Sequence, residues 1–203
     1  AKLAAAGIEA GALGFSTSRT LNHRTLDGRP IPTLTAAEEE LTEIGAAIGG
    51  TGQGWMQVIS DFDDPASEMA MLRRVVARSG RPMAITILQR DSKPDDWRDL
   101  MGHISGARAE GLDMVGQVIG RPTGIMLGFE ISMNPFTGRP SWDAIASLSL
   151  DEKLRHLRDP SFRAKLLAEV NPRKKLAERV SRWDRIYPLG DPPNYEPTPD
   201  QSV

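Results

Sequence analysis

Residues 55–88 read WMQVISDFDDPASEMAMLRRVVARSGRPMAITIL. Two short, apolar, β-branched runs, WMQVIS (55–60) and MAITIL (83–88), frame one amphipathic segment. Each run has the length and composition of a buried strand. Asp64-Pro65 opens a helix, with the acid at the N-cap and proline at the first helical position. Met69, Leu72 and Val76 give that helix an apolar stripe, and Gly80 ends it. Strand, helix and strand in that order make a βαβ unit, whose strands are parallel and whose crossover is right-handed.

The alternation extends in both directions. Upstream, residues 1–12 read as a helix leading into a strand near Leu13–Ser16. Thr35-Ala-Ala-Glu38 matches a capping box, Leu41, Ile44 and Ile48 share one helix face, and Gly49-Gly50 is expected to stop that helix. Downstream, Trp97, Leu100, Ile104 and Ala107 mark another helix closed by Gly111, and MVGQVI (114–119) is a fourth strand. IMLGFE (125–130) is expected to add a short fifth one. Strands that read as apolar on both faces suit a parallel sheet covered by helices.

The pattern changes after Asn134. Ser149-x-x-Glu152 and Asp159-Pro160 each open a helix, and residues 150–184 read as helical and charged. The expected divisions are a barrel-like part over 1–134, a helical extension over 135–186 and a proline-rich tail or linker over 187–203. The fold class is therefore α/β, a partial (β/α)8 TIM barrel of about four βα units followed by a helical segment. An open doubly wound sheet is the competing architecture, but no Gly-rich phosphate loop follows any strand.

Composition narrows the function classes. The 203 residues are 39% hydrophobic and 26% charged, with a net charge of −2 and the signs intermixed. No nucleic-acid patch or membrane-surface patch stands out, and no apolar run approaches the roughly 20 residues that span a bilayer. Absence of cysteine excludes disulfides, thiolate nucleophiles and cysteine-ligated zinc, and suits a reducing cytoplasm. The chain opens inside a helix and without methionine, as expected for an internal piece of a longer protein.

Active sites of parallel α/β folds gather at the carboxyl ends of the strands, so the polar groups closing each run are the candidates. These are Ser16, Thr17 and Arg19, then Asp61, Asp63 and Asp64, then Gln89 and Arg90, then Gln117 and Arg121. Asp61 sits directly at a strand end, whereas Asp64 is needed as a helix cap. Gly14-Phe15-Ser16-Thr17-Ser18 resembles a nucleophile elbow but lacks the final glycine, so hydroxyls capping a strand end are the plainer reading. His23 lies in a long polar loop and is a candidate acid/base or ligand, while His103 and His156 fall within helices. No HxH, HExxH or Cys/His cluster is present, so no metal ligand set is assigned within this chain. Arg19, Arg24 and Arg121 are candidates for gripping a carboxylate through bidentate pairing.

The run GALGFSTSRTLNHRTLDGRPIPTLTAAEEEL (11–41) resembles the N-acyl-D-amino-acid deacylase (D-aminoacylase) branch of the amidohydrolase superfamily. QVISDFDD, ITILQ, GLDMVGQVIGRPTGIMLGFE, NPF and SLSLDEKLRHLRDPSFRAKLLAE continue the resemblance in order. It implies a (β/α)8 barrel that hydrolyses the amide of a small N-acyl substrate with zinc-activated water. From their strand-end and loop positions, Ser16, Thr17, Arg19, Gln89 and Arg121 are expected to contact that substrate, with Asp61 and His23 catalytic. The family's HxH pair and catalytic aspartate would lie before Ala1 and after Val203. The rest of the barrel is then expected from the same polypeptide or another chain, and an oligomer is compatible with this. Typical members place a histidine at the ends of the strands matching 56–60 and 84–88, where this chain has Ser60-Asp61 and Leu88-Gln89. That departure marks a divergent subgroup with an altered metal site. The alternatives are a non-catalytic binding domain derived from the barrel and, last, an unrelated hydrolase using Asp61 and His23.

Overall fold

The structure is a computed structural model describing residues 1–90, 93–120 and 123–203. Two compact units divide the chain, one of residues 1–25 and 29–124, the other of 26–28 and 125–203. The first unit runs α1 (Lys2–Glu9), β1 (Gly14–Arg19), a 3-10 turn (Pro32–Thr35), α2 (Glu38–Gly50), β2 (Trp55–Ser60), α3 (Pro65–Ser79), β3 (Met83–Ile87), α4 (Asp96–Ala109) and β4 (Met114–Val118). All the strand pairings are parallel and the order is β1-β2-β3-β4. Each crossover moves the chain one strand further in the same direction. The reversal that defines a doubly wound sheet is absent among the described strands.

Register sorts the strand residues onto two faces. Val58 stands opposite Thr17 on one side and Ile85 on the other, and Ile85 stands opposite Gly116. Met56, Val58, Met83, Ile85, Ile87 and Met114 join one core with Leu41 of α2, Met69, Leu72, Val75 and Val76 of α3, and Leu100, Ile104 and Ala107 of α4. Since side chains alternate along a strand, α2, α3 and α4 cover a single face. The alternate positions carry Ser16, Gln57, Thr86 and Gln117, so the second face is banded with polar groups and is not the apolar surface expected of a sheet covered twice. Burial of one face supplies the cohesion, at about 25 cal/mol per Å² of apolar surface.

Local signals account for most boundaries. Asp64 caps α3 by accepting from the Ser67 amide at 3.2 Å, Pro65 takes the first position, and Gly80 closes the helix in the left-handed region at φ 62°. Other expectations are corrected. The strand near Leu13–Ser16 extends to Arg19, because Ser18 and Arg19 pair with Ile59 and Ser60. Thr35 belongs to the 3-10 turn and α2 starts at Glu38 behind Ala37, so no capping box forms there. Gly49 and Gly50 remain helical, and the chain turns out at Gly52, with φ 70°.

The second unit holds α5 (Pro140–Ile145), α6 (Leu150–Arg158), α7 (Pro160–Ala168), α8 (Lys174–Val180) and two 3-10 turns, Trp183–Arg185 and Pro199–Gln201. Its main core joins Trp142, Ile145 and Leu166 with Phe129, Phe136, Leu157 and Phe162 packed around them. Ser149 and Glu152 complete the expected capping box, and Asp159 caps α7 through the Ser161 amide at 2.9 Å. Residues 125–130 are not a strand: the Gly128 amide turns back to the Met133 carbonyl at 3.0 Å. Residues 169–173 are not helical, which breaks the helical stretch expected over 150–184. In the tail, the Val203 amide bonds the Ile186 carbonyl at 2.9 Å. No helix among the described residues is long and apolar enough to cross a membrane.

Candidate functional site

The carboxyl ends of β1, β2 and β3 bring two polar groupings together in the first unit. On the sheet face away from the helices, the Ser16 hydroxyl donates to Gln57 Oε1, and Gln57 Nε2 donates to the Thr86 hydroxyl at 2.8 Å. This chain of contacts fixes the Gln57 amide and links three strands. One pleat nearer the strand end, the Ser18 hydroxyl meets His23 Nδ1. Ile59, opposite Ser18 in register, shares that face.

His23 is held there by a turn anchored on Asp61. Asp61 Oδ1 accepts from the Thr20 hydroxyl at 2.7 Å and Oδ2 from the Leu21 amide at 2.8 Å. Thr20 is 1% exposed, so its hydroxyl depends on that acceptor. The Asn22 amide bonds the Thr20 hydroxyl oxygen at 3.1 Å, and Arg24 Nε bonds the Leu21 carbonyl at 3.0 Å. Further along the loop, the Thr33 hydroxyl donates to the Ser18 carbonyl at 2.7 Å. The loop is thereby fastened where it leaves β1, by Asp61 to Thr20 and Leu21, and where it ends, by Thr33 to Ser18.

The second grouping lies towards α3. Arg19 Nε donates to Glu68 Oε1 at 2.6 Å, Arg19 Nη1 donates to the Ala36 carbonyl at 2.6 Å, and the Ser60 hydroxyl reaches Glu68 Oε1 at 3.0 Å. Both side chains of the ion pair are less than a fifth exposed. A cavity of about 370 Å³ opens beside them, lined by Leu21, Leu34, Asp61 and Phe62 among others. Phe62 takes φ 45°, an uncommon conformation for a side chain of that size, and buries its ring in the core. Arg90 ties this edge to the next loop, pairing with Asp96 and donating to the Asp61 carbonyl at 2.7 Å.

The residues expected from sequence thus fall in different places. Ser16 and His23 are on the sheet's open face, with Ser18 between them along the chain. Thr17 points with Val58 towards the helices and is 7% exposed, its hydroxyl without a partner among the described residues. Arg19 engages Glu68 and the loop carbonyl. Gln89 Nε2 donates to the Pro94 carbonyl at 3.1 Å, bracing the β3–α4 loop. Arg121 lies outside the described residues. Three participants escaped the sequence reading: Ser18 as a partner of His23, Gln57 and Thr86. Gln57 and Thr86 did leave a signal, since each is polar at the position alternating with buried Met56, Val58, Ile85 and Ile87.

The zinc expected from the resemblance does not fit these donors. Among the described residues no group of three or more His, Asp or Glu side chains converges as a metal site. Asp61 spends both oxygens on Thr20 and Leu21, and one nitrogen of His23 faces Ser18. What the arrangement offers is a fixed amide, several hydroxyls and one imidazole on an open polar face. Compared with known proteins, the chain matches no family model, no curated protein and no solved structure.

Proposed function

We propose that this chain forms four consecutive units of a (β/α)8 barrel in an amidohydrolase that cleaves the N-acyl amide bond of a small molecule. The observation that carries the reading is the sequential parallel order with α2, α3 and α4 on one face. If that order continued around a barrel, Ser16, Gln57 and Thr86 would face its inside and the ends of β1 to β3 would lie at its mouth, where such folds carry their active sites. Val118 at the edge of β4 is 73% exposed, and Trp55 on the open face is 46% exposed, which is apolar surface that further barrel segments would cover. The run at 11–41 adds the resemblance to N-acyl-D-amino-acid deacylases, and with it the class of substrate.

Each residue then has a task within reach of its position. Ser16 and Gln57 offer hydrogen bonds to an amide laid across the open face. His23 exchanges a proton with the leaving nitrogen, and Asp61 keeps His23 in place through the Thr20–Leu21 turn. In such enzymes zinc supplies a water of lowered pKa; the donors for it are not among the residues described. A second reading, a binding domain derived from the barrel, is favoured by one observation: Asp61 serves as a loop anchor.

A panel of N-acetyl-D- and N-acetyl-L-amino acids, with amine release followed by fluorescamine in zinc-supplemented buffer, tests the reading on the protein carrying this chain. Hydrolysis that falls about 100-fold or more in His23→Ala is expected, the usual loss for a proton-transfer group. A protein that retains these compounds without releasing amine would instead be the binding domain.

A further inference from the structure

We infer that Ser18 and His23 form a nucleophile–base pair that accepts an acyl group on the serine. The step goes beyond the amidohydrolase reading, because it requires neither zinc nor a completed barrel.

The pair joins positions five residues apart that the strand and loop bring face to face. Ser18 is the last residue of β1 on the open face, half-buried, and its hydroxyl meets His23 Nδ1. His23 is exposed, so an acyl donor arriving from solvent reaches the pair. The contact is not what closes the loop. Asp61 already holds Thr20 and Leu21, and Thr33 already holds the Ser18 carbonyl, so neither side chain is needed as a fastener. A hydroxyl and an imidazole placed against each other at a strand end make the arrangement that activates a serine. Ile59, across from Ser18 on the same face, gives the acyl chain an apolar rest. The expected substrate class is a small acyl ester or amide with a short aliphatic chain.

With the ring hydrogen on Nε2, Nδ1 accepts the Ser18 proton as Oγ bonds to the acyl carbonyl carbon. The bond from that carbon to the leaving oxygen or nitrogen breaks, and the leaving atom takes the proton from Nδ1. The products are an acyl-Ser18 ester and a free alcohol or amine. Water then adds to the ester, giving its proton to Nδ1. The carboxylic acid departs and Ser18 Oγ recovers the proton.

A fluorophosphonate probe tests the pair directly, since attack by Ser18 expels fluoride and leaves a stable phosphonyl adduct. Peptide fragmentation of the labelled chain is expected to place the adduct on Ser18. The labelling rate is expected to fall about 100-fold in His23→Gln, the low end of the loss on removing a general base. Because His23 is exposed, that variant is expected to keep the wild-type circular dichroism spectrum. An unlabelled Ser18 would overturn the inference. So would labelling no faster than at Ser105, which is exposed on α4, or an unchanged rate in His23→Gln. Zinc-supported amide hydrolysis with Ser18 unlabelled would overturn the pair and leave the amidohydrolase reading standing. His23-dependent labelling without amide hydrolysis would do the reverse.

Discussion

At the scale of single residues, Asp61 shows that position along a strand does not assign chemistry. A carboxylate closing a strand suits catalysis or a metal equally well; its partners decide what it does. Here both oxygens accept hydrogen bonds from the turn that carries His23, and one donor, the Thr20 hydroxyl, is almost wholly buried. Asp61→Ala leaves that hydroxyl and the Leu21 amide without their acceptor. The expected loss is about 2–4 kcal/mol in urea unfolding, summing a charge-assisted bond and an orphaned buried donor. Asp61→Asn, which keeps one acceptor oxygen, is expected to lose about half as much. A change below about 0.5 kcal/mol in Asp61→Ala would show that the turn is held by other contacts. Ser18 makes the complementary case. It reads as one more polar residue in a run of them, and only the direction of its side chain and the returning loop bring it to His23.

Among elements, the α2–α3 contact depends on a missing side chain. A Cβ at Gly49 would run into the backbone carbonyl of Ser79, while one at Gly50, the next residue, meets nothing within 4 Å. Gly49→Ala is expected to cost about 1–3 kcal/mol by forcing the helices apart. Gly50→Ala is expected to gain up to about 1 kcal/mol by restricting the unfolded chain. Equal effects of the two in thermal unfolding would remove close approach as the cause. This pair of glycines also shows what the sequence conceals. Read as punctuation they stop a helix, yet one is a packing residue and the other is simply helical. Where two signals coincide, as at Asp64-Pro65 with Gly80, the element was legible from end to end. Where a polar face lies on a strand, as in Ser16 to Arg19, the strand reads as loop because alternation replaces a continuous apolar run. Residues 125–130 fail in the opposite sense: an apolar run suggests a strand, but the Gly128 amide turns back to the Met133 carbonyl. Within the helical extension expected over 135–186, α5 leaves no boundary signal of its own, because six residues give too few turns for a periodic stripe.

For the molecule as a whole, the division into two units separates two ways of holding a chain together. The first unit rests on a sheet and one continuous apolar core. The second has short helices, and α5, α6 and α7 are each begun or braced by a carboxylate. Glu169 accepts from the Ser141 hydroxyl and from its amide, which together hold its carboxyl below the ordinary 4.5, the hydroxyl most of all, against burial pulling the other way. The Ser149 hydroxyl does the same to Glu152, and the Ser161 amide, then its hydroxyl, to Asp159. A carboxyl with its folded pKa below the unfolded value favours folding once it is ionised. That contribution is complete above the unfolded value and is lost as pH falls through the folded one. The α5, α6 and α7 amides are therefore expected to lose hydrogen-exchange protection as pH is lowered from about 6 to about 3, after correction for intrinsic exchange. Ser141→Ala removes the main cause of the Glu169 shift, so its protection in α5 and α7 should begin lower and fall less over the same interval. Protection that stays level from about pH 6 to about pH 3 in the wild type would mean that packing around Trp142, and not the carboxylate caps, sets the stability of this unit.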